Sequence, residues 1–105
     1  MIKNFKDIRV NAGTYGTEIA FEVYDENHSD EDLSQYTVKA KFYNPTDLKT
    51  EEFGGVCTVE GSGNIAIYTF AKNDLANTGI YLIRLEMKKE SYRNIVKIDY
   101  NLIVE

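Results

Sequence analysis

The stretch G-I-Y-L-I-R-L-E-M-K, residues 79–88, puts Tyr81, Ile83, Leu85 and Met87 on one face of an extended chain. A helix needs apolar residues every three or four positions. A period of two marks a strand buried on one side. N-I-V-K-I-D-Y-N-L-I-V-E, residues 94–105, repeats the pattern with Val96, Ile98, Tyr100, Leu102 and Val104. The polar K-K-E-S-Y-R-N between them reads as a connection.

The same alternation recurs toward the N-terminus. In T-E-I-A-F-E-V-Y, Ile19, Phe21 and Val23 face one way, with Glu18 and Glu22 opposite. In Y-T-V-K-A-K-F-Y, Tyr36, Val38, Ala40 and Phe42 face inward, with Lys39 and Lys41 outward. F-K-D-I-R-V predicts a short leading strand with Ile8 and Val10 inward. N-P-T-D-L, with its Pro and Asp, suits a turn. K-T-E-E-F and V-C-T-V-E flank Gly54-Gly55, a hairpin signal, and G-S-G at 61–63 returns the chain into N-I-A-I-Y-T-F. That last strand is apolar on both faces, Ile65 and Ile67 against Ala66, Tyr68 and Phe70. It is either buried on both sides or half-covered by a partner.

Seven or eight short strands joined by turns predict an all-β, immunoglobulin-like antiparallel sandwich. A small barrel fits the alternation as well. Residues 1–105 make one domain. In L-A-N-T-G-I-Y, residues 75–81, Gly79 stands two before Tyr81 at the head of a strand, the spacing of a tyrosine corner. Ile83 stands two residues after Tyr81, where antibody domains carry a Cys, so hydrophobic burial replaces a disulfide there.

The net charge of −5 comes from 17 acids against 12 bases. Five of the acids, Asp25, Glu26, Asp30, Glu31 and Asp32, fall in Y-D-E-N-H-S-D-E-D-L-S with no base among them. Without them the chain balances. An acidic chain with no basic cluster is a poor ligand for nucleic acid, and the same charge disfavours anionic membranes. Neither an N-terminal signal-like apolar run nor an 18-residue apolar span is present. Cys57 is the sole cysteine, so no internal disulfide forms, and its alternating apolar setting predicts a buried thiol.

The acidic stretch begins like a calcium loop, with Asp25, Asn27 and Ser29 at the first, third and fifth positions. It then fails, with Asp30 where Gly is needed and Tyr36 where a bidentate Glu is needed. A solvated turn, a patch for a basic partner and a different calcium geometry remain the three readings. His28 is the single histidine, too few for a three-His zinc site. No cofactor, metal or catalytic constellation is expected. Sugar stacking is a further option for Tyr15, Tyr24, Tyr43, Tyr68 and Tyr92, weakened by the absence of Trp.

In order, T-E-I-A-F-E-V-Y-D, the acidic loop, D-L-S-Q-Y-T-V-K-A-K-F-Y-N-P, G-N-I-A-I-Y-T-F, L-A-N-T-G-I-Y-L-I-R-L-E-M and a last strand ending I-V-E resemble the N-terminal immunoglobulin-like domain of phage baseplate upper proteins. The likeness spans roughly residues 14–104 and rests on strands and turns. It implies a non-enzymatic virion component of the tail or baseplate, made in a host cytoplasm and docked on other tail proteins or on copies of itself. Family members usually continue into further parts, so the expectation is a lone module or one completed by another polypeptide. The resemblance also favours the turn for the acidic stretch, with Leu33 as a core plug. Candidate partner contacts are the five acids, Tyr68 and Phe70. An adhesion or glycan-binding module is the alternative, and a small accessory protein such as an inhibitor or chaperone is a third reading.

Overall fold

The alternating stretches become strands: β1 is Ile8–Val10, β2 Glu18–Glu22, β3 Thr37–Asn44, β4 Asp47–Val56, β5 Thr58–Glu60, β6 Ile65–Thr69, β7 Gly79–Lys89 and β8 Tyr92–Val104. They are seen in a computed structural model that describes residues 7–23, 32–60 and 63–105. No helix occurs among the described residues. One sheet has the order β1-β8-β7-β3-β4 and the other β2-β6-β5. Each buries one face against the other, which makes an all-β sandwich.

The pairings are antiparallel apart from β1, which runs parallel to β8 with Ile8, Arg9 and Val10 opposite Leu102, Ile103 and Val104. This corrects the expectation of antiparallel pairing throughout. A tight hairpin forces its two strands antiparallel, but β1 and β8 come from opposite ends of the chain and share no turn. Alternation is indifferent to direction, so Ile8 and Val10 still turn toward the core. Backbone bonds from Glu105 to Val10 (2.8 Å) and from Ala12 to Glu105 (2.9 Å) finish the ladder.

The interior follows the period-two prediction. Ile19 and Phe21 of β2, Val38, Ala40 and Phe42 of β3, and Ile83, Leu85 and Met87 of β7 are all buried. So are Ile98, Tyr100, Leu102 and Val104 of β8. Phe42 sits at the centre of an aromatic group: its ring stacks on Phe53 at 4.5 Å and lies 5.5 and 5.8 Å from Tyr68 and Phe70. Offset and edge contacts of this kind add about 0.5–1.5 kcal/mol per pair beyond area burial. Leu33 is fully buried ahead of β3 and its amide donates to Gly63 at 2.5 Å. A side chain from a connection thus closes one end of the interior.

Gly54-Gly55 is not a hairpin turn. Both glycines lie within β4, and the turn between β3 and β4 is Asn44-Pro45-Thr46-Asp47, where Asn44 Oδ1 accepts from the Thr46 amide at 2.9 Å and hydroxyl at 2.7 Å. The glycines answer a different need. A Cβ on Gly54 would stand 2.2 Å from the carbonyl oxygen of Ala40, and one on Gly55 would stand 3.3 Å from the Tyr68 ring. The β3–β4 pairing also shifts register beside Tyr43. One residue beyond β4 the chain leaves the larger sheet, and at Cys57 it passes into β5 of the smaller one, the Cys57 amide donating to Val38 at 2.7 Å.

The K-K-E-S-Y-R-N connection is shorter than the sequence suggests. Lys88 pairs with Arg93 and Lys89 with Tyr92, leaving Glu90-Ser91 as the turn. This end of the hairpin is exposed, so ladder hydrogen bonds continue where the apolar alternation has stopped.

Gly54→Ala should lower unfolding free energy by about 2 kcal/mol or more, because the obstacle is backbone. Gly55→Ala should cost about 1 kcal/mol or less, since only the edge of the Tyr68 ring must give. Urea denaturation of the two variants checks the order.

Candidate interaction surfaces

Register decides which side chains share a face. On the outside of the smaller sheet, Ala20 and Thr58 flank Ile67, while Glu22 and Glu60 flank Ile65; Glu18 stands beside Thr69. This face therefore carries an apolar centre of Ala20, Ile65 and Ile67 with three carboxylates around it. No Lys or Arg occurs in its three strands.

The outer face of the larger sheet has the opposite sign. Thr37, Lys39, Lys41 and Tyr43 of β3 alternate with buried residues, as do Ile80, Leu82, Arg84, Glu86 and Lys88 of β7. Opposite β7 stand Arg93, Ile95, Lys97, Asn101 and Ile103 of β8. One end is apolar, with Ile80 51% exposed and Leu82 and Ile103 half-buried. The rest is a basic field of Lys39, Lys41, Arg84, Lys88, Arg93 and Lys97. Against them stand Glu86 and, on β4, Glu51 opposite Tyr43.

Glu86 is buried on this face because cations cover it. Arg93 Nε donates to Glu86 Oε2 at 2.6 Å, Lys41 Nζ does so at 3.4 Å, and Lys41 also lies 4.0 Å from Glu51. The hydrogen bond from Arg93, helped by Lys41, holds the Glu86 carboxyl below its usual range despite its burial. Arg84 lies over the Tyr43 ring at 5.4 Å. Lys39, Lys88 and Lys97 form no ion pair among the described residues. A shallow hollow of ≈ 270 Å³ beside them is lined by Thr37, Lys39, Glu86, Lys88, Lys89 and Glu90.

Tyr68 and Phe70, expected as an apolar contact patch, are buried to 4% and 2% exposure. The reason is parity along β6, the middle strand of its sheet, and the residue just past it: Ala66, Tyr68 and Phe70 are buried against the larger sheet, and Ile65 and Ile67 point out. The doubly apolar strand is thus core on one side and half-exposed on the other. The Tyr68 phenol donates to the Asp74 carboxylate, which also accepts from the Ala71 amide at 2.8 Å. Burial, reinforced by that carboxylate, pushes the phenol's pKa up. Such a residue cannot stack a sugar. Of the other tyrosines considered, Tyr15 and Tyr92 are exposed, Tyr43 is half-buried, and Tyr24 lies outside the described residues. Tyr92 stands edge-on to Tyr36 at 5.9 Å, with Lys89 Nζ over Tyr36 at 4.7 Å.

Of the acidic run, Asp25, Glu26, Asp30 and Glu31 lie outside the described residues, as do Asn27, His28 and Ser29. Asp32 shapes the chain next to it. Its Oδ1 accepts from the Ser34 amide at 3.0 Å and hydroxyl at 2.7 Å, and these bonds lower its pKa. The two flanks of the run are tied to one place. The Val23 amide donates to Asn64 at 2.9 Å and the Leu33 amide to Gly63, at the β5–β6 turn.

The remaining perturbed groups serve the interior. Burial raises the Cys57 thiol to about 11 and the Tyr100 phenol to about 12. Tyr81 Oη donates to the Asn77 carbonyl at 3.0 Å, four residues upstream, and Gly79 between them has φ +151°. Among the described residues no group of three or more His, Cys, Asp and Glu side chains is placed to hold a metal ion. No helix there is long and apolar enough to cross a membrane.

The opposite signs of the two faces are not legible in the sequence. Alternation puts each charge on the outside of its strand, but which strands share a sheet decides whether like charges gather. Comparison with protein families, with curated proteins and with solved structures finds no match to this chain.

Glu86 makes stability depend on pH in a known direction. Its folded pKa is depressed, so its contribution is present above the unfolded value of 4.5 and is lost as pH falls through the folded one. The melting temperature should fall below about pH 4.5, and less steeply in Glu86→Gln. Asp32, depressed as well, keeps some slope in the variant. Removing the phenol hydroxyl with Tyr81→Phe should cost about 0.5–1.5 kcal/mol in urea denaturation, the net worth of one hydrogen bond.

Proposed function

We propose that this chain is an immunoglobulin-like sandwich without enzymatic activity, serving as a docking or assembly module of a phage tail or baseplate. The observation that carries the docking part is the pair of outer faces. One sets apolar side chains beside carboxylates and the other beside a predominantly basic field, and protein partners combine apolar burial for affinity with charge complementarity for orientation.

Three features support the immunoglobulin-like fold. The strand order suits such a sandwich, with β6 between β2 and β5 in one sheet and β7 between β3 and β8 in the other. The Tyr81 phenol bonds back to the backbone at the head of β7. Phe42 on β3 fills the space between the sheets where antibody domains place a Trp, and Ile83 takes the place of their second Cys. The tail or baseplate setting rests on the resemblance of the strand-and-turn order to baseplate upper proteins.

Cross-linking mass spectrometry on phage particles from cells that make this chain tests the setting. The expected result is links from Lys39, Lys88 or Lys97 to particle proteins. Absence of the chain from purified particles overturns it. Sugar binding on a glycan array, abolished by Tyr92→Ala or Tyr15→Ala, would support the adhesion reading instead.

A further inference from the structure

The two outer faces of the sandwich are complementary to each other. One has Ile65, Ile67 and Ala20 among Glu18, Glu22 and Glu60, and the other has Ile80, Leu82 and Ile103 beside the rows of Lys39, Lys41, Arg84, Lys88, Arg93 and Lys97. They lie on opposite sides of one domain. We infer that the occupant of the acidic face is the basic face of a second copy of this chain, so that copies associate head to tail.

Charge selects that geometry over its rivals. A two-fold dimer through the larger sheet would oppose two predominantly basic fields, and one through the smaller sheet would oppose carboxylates with carboxylates. Either juxtaposition is costly. The contact left for self-pairing joins unlike faces. Such a contact is heterologous: each copy keeps one unused face of each sign, and repetition yields a ring if the rotation closes or an open stack if it does not. Ile65 and Ile67 then cover Ile80 and Leu82 from water, while Glu22 and Glu60 reach the cations of the next copy.

Magnitude sets where the effect is visible. Strands of five, five and three residues, about 4.8 Å apart, give a footprint of roughly 200 Å², well below the roughly 800 Å² per partner of stable complexes. A single contact is therefore weak, in the high micromolar range or beyond. It becomes effective when an assembly holds copies side by side and raises their effective concentration. The net charge of −5 repels copies at long range. At about 0.1 M salt the screening length is about 10 Å, which blunts that repulsion more than it blunts rows in direct contact.

The inference rests on the docking reading but not on the phage setting, and its test needs only the purified chain. Sedimentation equilibrium at about 0.1 M salt should show a mean mass rising with concentration above the 12.0 kDa of one chain, with no plateau at a dimer. It should fall back at about 0.5 M salt, as screening predicts. Glu18→Lys/Glu60→Lys makes both faces basic, and Lys39→Glu/Lys97→Glu offsets the remaining bases of the larger sheet's face, so that only the acidic face keeps a net charge. Each variant alone should stay monomeric, and an equimolar mixture should associate again because unlike faces reappear between the two. A wild-type chain that stays monomeric at millimolar concentration overturns the inference and leaves the acidic face to a basic protein of another kind. A salt-insensitive dimer overturns it too, as does a mixture that fails to associate while both variants melt like the parent. A chain present in particles but monomeric in solution would sink this inference and leave the docking reading standing. A stacking chain absent from particles would uphold this inference and overturn only the phage setting.

Discussion

Phe42 and the rings around it set the constraint that the rest of the structure obeys. It projects from the middle of β3 into the space between the sheets, stacked on Phe53 of β4 and tilted against Tyr68 and Phe70 from the opposite sheet. With no Trp and no disulfide to join the layers, this aromatic group fills the junction together with the buried rings of Phe21 and Tyr100. In β4, Gly55 leaves room for the Tyr68 ring, and Gly54 lets the strand pass close to the Ala40 carbonyl of β3. Just beyond them Cys57 carries the chain to the other sheet, small and apolar enough to be buried at the crossing.

The same burial explains why the polar residues end up where they do. Each strand that commits one face to the interior must present the other outward, and the sheet order then collects those outward side chains into fields. β2, β5 and β6 contribute only carboxylates and neutral residues, while β3, β7 and β8 contribute most of the lysines and arginines. Glu86 shows how the basic side tolerates an acid: buried and shared by Arg93 and Lys41, it orders that part of the face instead of neutralising it. A domain with a net charge of modest size can thus carry two strong and opposite local fields, and local fields are what a neighbour in contact meets.

Much of this is legible along the chain. Alternation names nearly every core residue of β2, β3, β7 and β8, because parity is a local property of extended backbone. Asn44-Pro45 reads correctly as a turn, and Leu33 as a buried plug. The failures share a cause. Gly54-Gly55 looks like a turn because glycine serves both tight turns and close approaches, and only the position of Ala40 and Tyr68 tells them apart. Tyr68 and Phe70 look like a surface patch because β6 is apolar on both sides, so its parity does not say which face is covered. The β7–β8 hairpin reads too short because its last pairs are polar, and ladder hydrogen bonds leave no mark in side-chain identity.

By itself the sequence determined the class of the fold, its single buried face per strand and the acids and bases left to solvent, since these follow from a period of two and from the cost of burying charge. Tertiary structure alone decided which strands became neighbours, that β1 lies parallel to β8, and that the outward charges sort into one negative and one positive face. Those outcomes depend on pairings between residues far apart in the chain. The hydrogen bonds that make such pairings come from the backbone, which is the same in every residue but proline and so is silent in the sequence.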